Sequence, residues 1–195
     1  MKKVEISIRK MRVSDYEVMA QWLSTKEVLE FYGDVNSPFS VERVRRKYGP
    51  RINGDVPIHP YIVEMDKIPI GYIQQYYLTA EQKEEYGYPS NLKIYGIDQF
   101  IGVPELFNQG IGTVMIKKFV DFLYETTDVQ KLVLDPNLSN KRAIRCYEKC
   151  GFHKAIVINK GRNWLMEINK RDRWQVQLES EHVKLDFKNE SPHPF

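Results

Sequence analysis

The chain has 195 residues, 42% of them hydrophobic and 12% aromatic, and a net charge of +3. That length suits one well-formed core better than two, and so small a charge gives no reason to expect a nucleic-acid partner. No apolar run approaches the span of a bilayer, and Met1-Lys2-Lys3-Val4 leads into strand-like alternation rather than a signal sequence, so the expected location is the cytoplasm, without a membrane partner.

Val4, Ile6 and Ile8 alternate with charged or small neighbours, as in a strand. Ser14-Asp15-Tyr16-Glu17 has capping-box spacing and opens a helix carrying Val18, Met19, Trp22 and Leu23. A short helix over 26–31 ends before Gly33, and Asn36-Ser37-Pro38 marks a turn. Ser40 is a natural cap for the next helix. There Arg43, Arg45, Arg46, Lys47 and Arg51 accompany an apolar stripe of Val41, Val44 and Tyr48, so the cations read as a solvated face. Residues 51–60, with Asn53-Gly54-Asp55 and two prolines, read as a loop.

Two strands, 60–65 and 70–77, follow as a hairpin about Asp66-Lys67. Residues 79–91 are polar, with Glu81, Glu84 and Glu85, and read as a surface excursion. Residues 92–101 are rich in β-branched and aromatic side chains and read as a strand. After Asn108-Gln109-Gly110-Ile111-Gly112-Thr113, the residues Ile111, Met115, Ile116, Phe119, Val120, Phe122 and Leu123 form the apolar face of a helix. Thr113, Lys117, Lys118 and Asp121 take its other side.

A glycine turn entering a helix presents unpaired N–H groups at the positive end of the helix dipole, which suits a phosphate or pyrophosphate. Glycines in that place also serve turns alone. No Gly-Lys-Ser/Thr follows, and Met115 stands three residues after Gly112 where a dinucleotide fingerprint has glycine. A nucleoside triphosphate or dinucleotide is therefore not favoured.

Residues 131–134 read as a short strand, and Ser139 or Asn140 caps a helix running to Cys150, stopped by Gly151. A last hairpin, 152–158 and 163–168, turns about Lys160-Gly161. Cys146 and Cys150 read as reduced thiols, because no histidine or further cysteine joins them at ligand spacing, and no metal is expected. The order of elements implies one α+β domain over 1–170 with a central sheet. Residues 171–195 form a C-terminal extension whose structure the sequence leaves open.

The β–glycine turn–α unit, followed by a strand and Asn140-Lys141-Arg142-Ala143-Ile144-Arg145-Cys146-Tyr147-Glu148-Lys149-Cys150-Gly151-Phe152, resembles the GNAT acetyltransferase superfamily. More narrowly, Tyr95-Gly96-Ile97-Asp98-Gln99-Phe100, Leu134-Asp135-Pro136 and Arg142-Ala143-Ile144-Arg145-Cys146-Tyr147 are similar to the aminoglycoside 6′-N-acetyltransferases. Val28-Leu29-Glu30-Phe31-Tyr32-Gly33 and Pro69-Ile70-Gly71-Tyr72-Ile73-Gln74 extend the likeness, which covers about residues 5–170. One position departs: the superfamily has Gln or Arg three residues before the first glycine, and here that residue is Phe107. The grip then falls to backbone N–H groups of Gln109, Gly110, Ile111, Gly112 and Thr113, with the Gln109 and Asn108 side chains as candidate substitutes.

The resemblance implies a GNAT-type mixed sheet in which two parallel strands, ending near Ile101 and Asp135, splay around acetyl-CoA as cosubstrate. Backbone atoms of Phe100 and Ile101 would pair with the pantetheine arm, the glycine turn would cradle the pyrophosphate, and Asn140 and Ala143 would flank the arm. An amine attacks only when neutral, and lysine-like amines have pKa values of about 10.4, so a base is needed. Asp98 matches the family residue in that role, directly or through water, and Tyr147 matches the proton donor to the departing thiolate. Asp135 and Asp98, with weaker matches at Gln74 and Tyr32, would hold a polycationic aminoglycoside. Glu81, Glu84 and Glu85 would either add an acidic rim or belong to a solvated loop.

Without the resemblance each residue has a plainer reading: Asp98 a structural carboxylate, Tyr147 a core tyrosine, Asp135 a turn residue. Two rival functions stand beside the aminoglycoside one. They are a GNAT enzyme acylating another amine, such as a protein N-terminus or siderophore precursor, and a non-catalytic acyl-CoA-binding module. Oligomeric state is not legible.

Overall fold

The computed structural model describes residues 5–170; Val4 of the first expected strand and the extension 171–195 lie outside the described residues. Among the described residues seven strands form one sheet: β1 (Ile6–Lys10), β2 (Ile58–Met65), β3 (Ile68–Tyr77), β4 (Ile94–Ile101), β5 (Lys131–Leu134), β6 (His153–Ile158) and β7 (Asn163–Asn169). Their spatial order is β1-β2-β3-β4-β5-β7-β6. Every neighbouring pair is antiparallel except β4 and β5. The β2–β3 turn puts Asp66 and Lys67 at φ 50° and 67°, the left-handed pair that matches the twist of a two-residue hairpin.

The described residues form six helices: α1 (Tyr16–Trp22), α2 (Lys26–Tyr32), α3 (Val41–Asn53), α4 (Ala80–Glu85), α5 (Ile111–Thr126) and α6 (Lys141–Lys149). Alternation along the strands divides the core. Ile73, Tyr95, Ile97 and Leu134 pack with Met115, Phe119 and Leu123 of α5 and Ile144 and Tyr147 of α6. Ile62, Tyr72 and Phe100 point the other way, onto Met19, Trp22, Val28, Val44 and Tyr48 of α1 to α3. Burial of this kind is the main stabilising contribution.

Several expectations need correction. Ser14 does not cap α1; it lies in a 3-10 turn, Val13–Asp15. Asp15 is instead buried, accepting the Arg12 N–H at 2.7 Å and two bonds from Arg9 at 2.8 Å each. Arg9 also binds Glu64 Oε1 at 2.6 Å, so the charge demand of that pair overrides the cap. Residues 51–53 are helical, because α3 continues through Pro50 to a left-handed Gly54 cap. The stretch 79–91 contains α4, opened by a capping box between Thr79 and Gln82. The basic face of α3 is not uniformly solvated: Arg45 and Arg46 are exposed, but Arg43, Lys47 and Arg51 turn onto aromatic rings.

The pairing of β4 with β5 is short. It runs Ile94↔Lys131, Tyr95↔Leu132 and Gly96↔Val133 and then stops, while β4 continues to Ile101. After Leu134 come Asp135 and Pro136, and proline has no N–H to extend a ladder. The sheet therefore splits, as expected, and among the described residues no strand lies beside β4 beyond Gly96 on that side.

Candidate active site

The split opens a cavity of about 830 Å³ lined from both faces of the sheet. Side chains alternate along β4, so Asp98 and Phe100 lie on the α1–α3 face while Ile97 and Gln99 lie on the α5–α6 face. Closed strands would keep these two sets apart. The split lets both reach one space, and the cavity touches Asp98, Gln99, Asp135 and Tyr147.

Asp98 is held from its neighbouring strand. Gln74 is its cross-strand partner and donates from Nε2 to Asp98 Oδ2 at 2.6 Å. Gln74 Oε1 accepts from Arg51 Nη1 at 2.5 Å and from the Tyr72 hydroxyl at 2.6 Å. Burial pushes the Asp98 carboxyl up from its ordinary value, opposed by the Gln74 bond and by the charges of Arg51 and Lys47. A carboxylate so placed has more basicity than one in water. Tyr32 completes this side, its ring 4.6 Å from that of Phe100 and 6.4 Å from that of Tyr72.

Asp135 follows β5 directly. Burial and then the charge of Asp98 lift its carboxyl to about 6. Asn159 Nδ2 donates to its Oδ2 at 3.4 Å, and Asn163 Nδ2 to its carbonyl at 2.6 Å. Tyr147 arrives from α6, buried, with Gln99 Nε2 donating to its hydroxyl oxygen at 2.6 Å. That bond leaves the phenolic proton available for donation. Burial raises the Tyr147 pKa, with the Gln99 bond acting the other way.

At the far end stands the entrance to α5. Gly110 is left-handed at φ 79° and Asn108 at φ 63°, and Gly110, Gly112 and Thr113 line the cavity. The first N–H groups of α5 have no acceptor within the helix. One expected donor is lost, since the Thr113 N–H bonds to the Gly110 carbonyl at 3.1 Å. The Thr113 hydroxyl lies 3.4 Å from Cys146 Sγ. A hydrogen bond with Cys150, then one with Thr113, draws the Cys146 pKa down to about 7 against the cost of burial. Gln109 and Ile111 lie outside the lining, and the Gln109 side chain, a candidate stand-in for the Gln or Arg missing at position 107, donates from Nε2 back to the Glu105 carbonyl at 2.6 Å. Asn140 caps α6 by accepting the Ala143 N–H at 3.0 Å, and both residues line the cavity.

A free backbone edge, a glycine-lined helix entrance and one continuous cavity fit a long ligand carrying phosphate at one end. Among the described residues no cluster of His, Cys, Asp or Glu could hold a metal, and no helix is long and apolar enough to cross a membrane.

The cavity gathers Tyr32, Asp98, Asp135 and Tyr147, and with them Phe100 and Ile101. Gln74 stands behind Asp98 rather than in the wall. Glu81, Glu84 and Glu85 do not reach the cavity, whereas Glu27 and Glu30 of α2 do. Sequence reasoning missed these two, together with Arg51 and Gln99. Their signal was weak: Glu27 and Glu30 are three apart on a short helix, which any solvated face can show.

Residues 12–160 match the acetyltransferase (GNAT) domain. The aminoglycoside N(6′)-acetyltransferase type 1 of Klebsiella pneumoniae is 30% identical over 153 residues, 78% of this chain and 76% of that protein. Among solved structures, the aminoglycoside acetyltransferase AAC(6′)-Ib in complex with coenzyme A superposes with a TM-score of 0.76 at 27% identity, covering 89% of this chain and 99% of that one. The same protein in complex with coenzyme A and kanamycin gives a TM-score of 0.76 at 26% identity, over the same 89% and 99%.

Proposed function

Because the chain belongs to the GNAT acetyltransferase family and is homologous to aminoglycoside 6′-N-acetyltransferases, we propose that it transfers the acetyl group of acetyl-CoA to the 6′-amine of an aminoglycoside. The observation that carries this reading is the shared cavity, where Asp98 and Tyr147 come from opposite faces of β4 and Asp135 stands beside them. The cytoplasm, where acetyl-CoA is made, is the location that goes with it.

Acetyl-CoA supplies an activated carbonyl and a thiolate leaving group. Phe100 and Ile101 offer it an unpaired strand edge, and the α5 entrance at Gly110 and Gly112 faces its pyrophosphate. Asn140 and Ala143 border the arm between them. Asp135, with Glu27 and Glu30 at the rim, attracts the ammonium groups of the acceptor, and Tyr32 bounds that side. Asp98 takes a proton from the ammonium, directly or through one water, and the neutral amine attacks the carbonyl carbon. A C–N bond forms, the C–S bond breaks, Tyr147 gives its proton to the departing sulfur, and the second proton leaves the nitrogen as the amide forms, restoring the Tyr147 hydroxyl through water.

Incubation with acetyl-CoA and kanamycin or tobramycin tests the reading. Free thiol should appear only when both are present, and the product should carry one acetyl group on the 6′-amine. No thiol release across a broad aminoglycoside panel sinks it.

A further inference from the structure

Gln74 links a cation to the reacting carboxylate. It is only 4% exposed, and its Oε1 already accepts two hydrogen bonds, from Arg51 at 2.5 Å and Tyr72 at 2.6 Å. An amide can ordinarily be turned over, exchanging its oxygen and nitrogen. Tyr72 alone would not decide the matter, because a hydroxyl both donates and accepts. A guanidinium only donates, so the atom that meets Arg51 must be the oxygen. The nitrogen must then face Asp98, where it donates to Oδ2 at 2.6 Å. Asp98 Oδ1 has no hydrogen-bond partner among the described residues.

We propose that Arg51 is a positioning residue for acetyl transfer: it fixes the Gln74 amide so that Asp98 Oδ2 is held by an N–H and Oδ1 remains the proton acceptor. The proposal rests on the reading of Asp98 as the base. Arg51 itself is kept in place by its guanidinium carbon lying 4.9 Å from the centre of the Tyr48 ring.

The charged groups around Asp98 define what its loss would do. Among the described residues Arg51 and Lys47, both from α3, favour its charged form, Asp135 is the carboxylate coupled to it, and Glu27 and Glu30 of α2 stand at the cavity rim. Tyr32 of α2, Tyr48 of α3 and Tyr72 and Tyr76 of β3 also feel its charge, as does Tyr147 of α6. Burial raises the pKa of every one of these tyrosines, so they stay neutral in the working range. Lys47 adds charge without a hydrogen bond to the amide. Loss of Arg51 removes a charge and also frees Gln74 to turn its oxygen toward the carboxylate. Both changes disfavour the ionised form, so the Asp98 titration moves upward.

The test is the titration of Asp98, followed by carbon NMR of the aspartate-labelled full chain and assigned with Asp98→Asn. Arg51→Met should raise the midpoint by about one pH unit and move the acid limb of kcat/KM for the amine by the same amount. The KM for acetyl-CoA should hold. Arg51→Lys, which also only donates, should restore most of the shift, and Lys47→Met should move it less than Arg51→Met. In a Gln74→Leu background, Arg51→Met should add little. An unmoved midpoint in Arg51→Met overturns the proposal, and so does an equal shift with and without Gln74, which would mean that charge acts without the amide. If Arg51→Met does not fold, Arg51→Gln removes the same charge and is judged by the same outcomes. The NMR midpoint needs no acceptor, so a parent inactive on aminoglycosides would refute the functional reading separately.

Discussion

Burial and the charge of neighbouring Asp98 together lift the Asp135 carboxyl to about 6. The unfolded chain binds that proton only near the ordinary value for aspartate, about 3.9. Between the two values the folded protein holds more protons than the unfolded one, so the stability due to this group falls as pH rises through the window. Above pH 6 the free enzyme carries the full cost of a charged, half-buried Asp135. Asp135→Asn should therefore stabilise the ligand-free protein at neutral pH by about 1–2 kcal/mol, a figure reduced for water in the open cavity. Thermal melts in buffers from pH 4 to 8 check this. The gap between variant and parent should close near pH 4 and be widest above pH 6. The same variant should bind aminoglycoside more weakly, a site holding charge at the expense of the fold.

Asp98→Asn separates the two carboxylates. It removes the proton acceptor, and kcat should fall by roughly 10²–10⁴ with little change in acetyl-CoA affinity. It also removes the like charge beside Asp135, so the acid limb of aminoglycoside binding should move to lower pH. Turnover equal to the parent would discard the base assignment. Calorimetric titration of coenzyme A and of aminoglycoside, with a pH series for the second, distinguishes the two effects.

The split sheet was expected from the family resemblance alone, and its local cause, a proline with no N–H just past β5, went unread. The entrance to α5 was legible from the residues themselves, since glycine carries its own backbone preference. The second layer around Asp98 was not. Arg51 lies 23 residues from Gln74 and reaches it only because α3 packs over β3, and a basic helix reads as solvated until its neighbours are known. Ser14 failed as a cap because Arg9, itself held by Glu64 from a distant strand, claimed Asp15. α4 was missed because its six residues include no buried side chain, leaving no apolar period to read.

Tyr147→Phe tests proton donation to sulfur. The hydroxyl is the partner of Gln99 Nε2, and Gln99 Oε1 is already buried with no partner among the described residues. Loss of the hydroxyl strands the amide and should cost about 1–3 kcal/mol in stability. On the reaction, kcat should fall by roughly 10²–10⁴ while the dissociation constant for coenzyme A stays near that of the parent. A loss of affinity equal to the loss of kcat would make Tyr147 a packing residue only.

The two glycines at the α5 entrance should respond differently to alanine. At Gly112 an added Cβ would lie 3.5 Å from Cys146 Sγ and 3.8 Å from Ile101 Cδ1, ordinary contacts. Alanine is also the better helix former, by about 1 kcal/mol. Gly112→Ala should therefore keep or raise the melting temperature, yet raise the KM for acetyl-CoA by placing a methyl group in the cavity wall. At Gly110 an added Cβ meets nothing within 4 Å, but φ is 79°. Gly110→Ala should cost about 1–2 kcal/mol in stability from its left-handed backbone. Melts and acetyl-CoA kinetics on the two variants read both effects. Matching behaviour at the two positions would mean that neither approaches the ligand.

Cys146 reports on the same entrance. Neither cysteine is in a disulfide, but Cys150 is only 3% exposed, whereas Cys146 is half-buried and lines the cavity. Its pKa, drawn down to about 7, makes about half of it thiolate at neutral pH, and the thiolate is the nucleophile. Alkylation by iodoacetamide should therefore rise through pH 7, well below the range of an ordinary thiol, and Cys146→Ser should abolish it. The sulfur touches Thr113 and the position where Gly112 would carry a Cβ. A ligand with its pyrophosphate at that entrance covers the thiol, so coenzyme A should slow labelling while an aminoglycoside alone should not. Mass spectrometry of the labelled peptide identifies the residue. Labelling indifferent to coenzyme A would place the phosphates elsewhere and leave the glycine turn a purely structural feature.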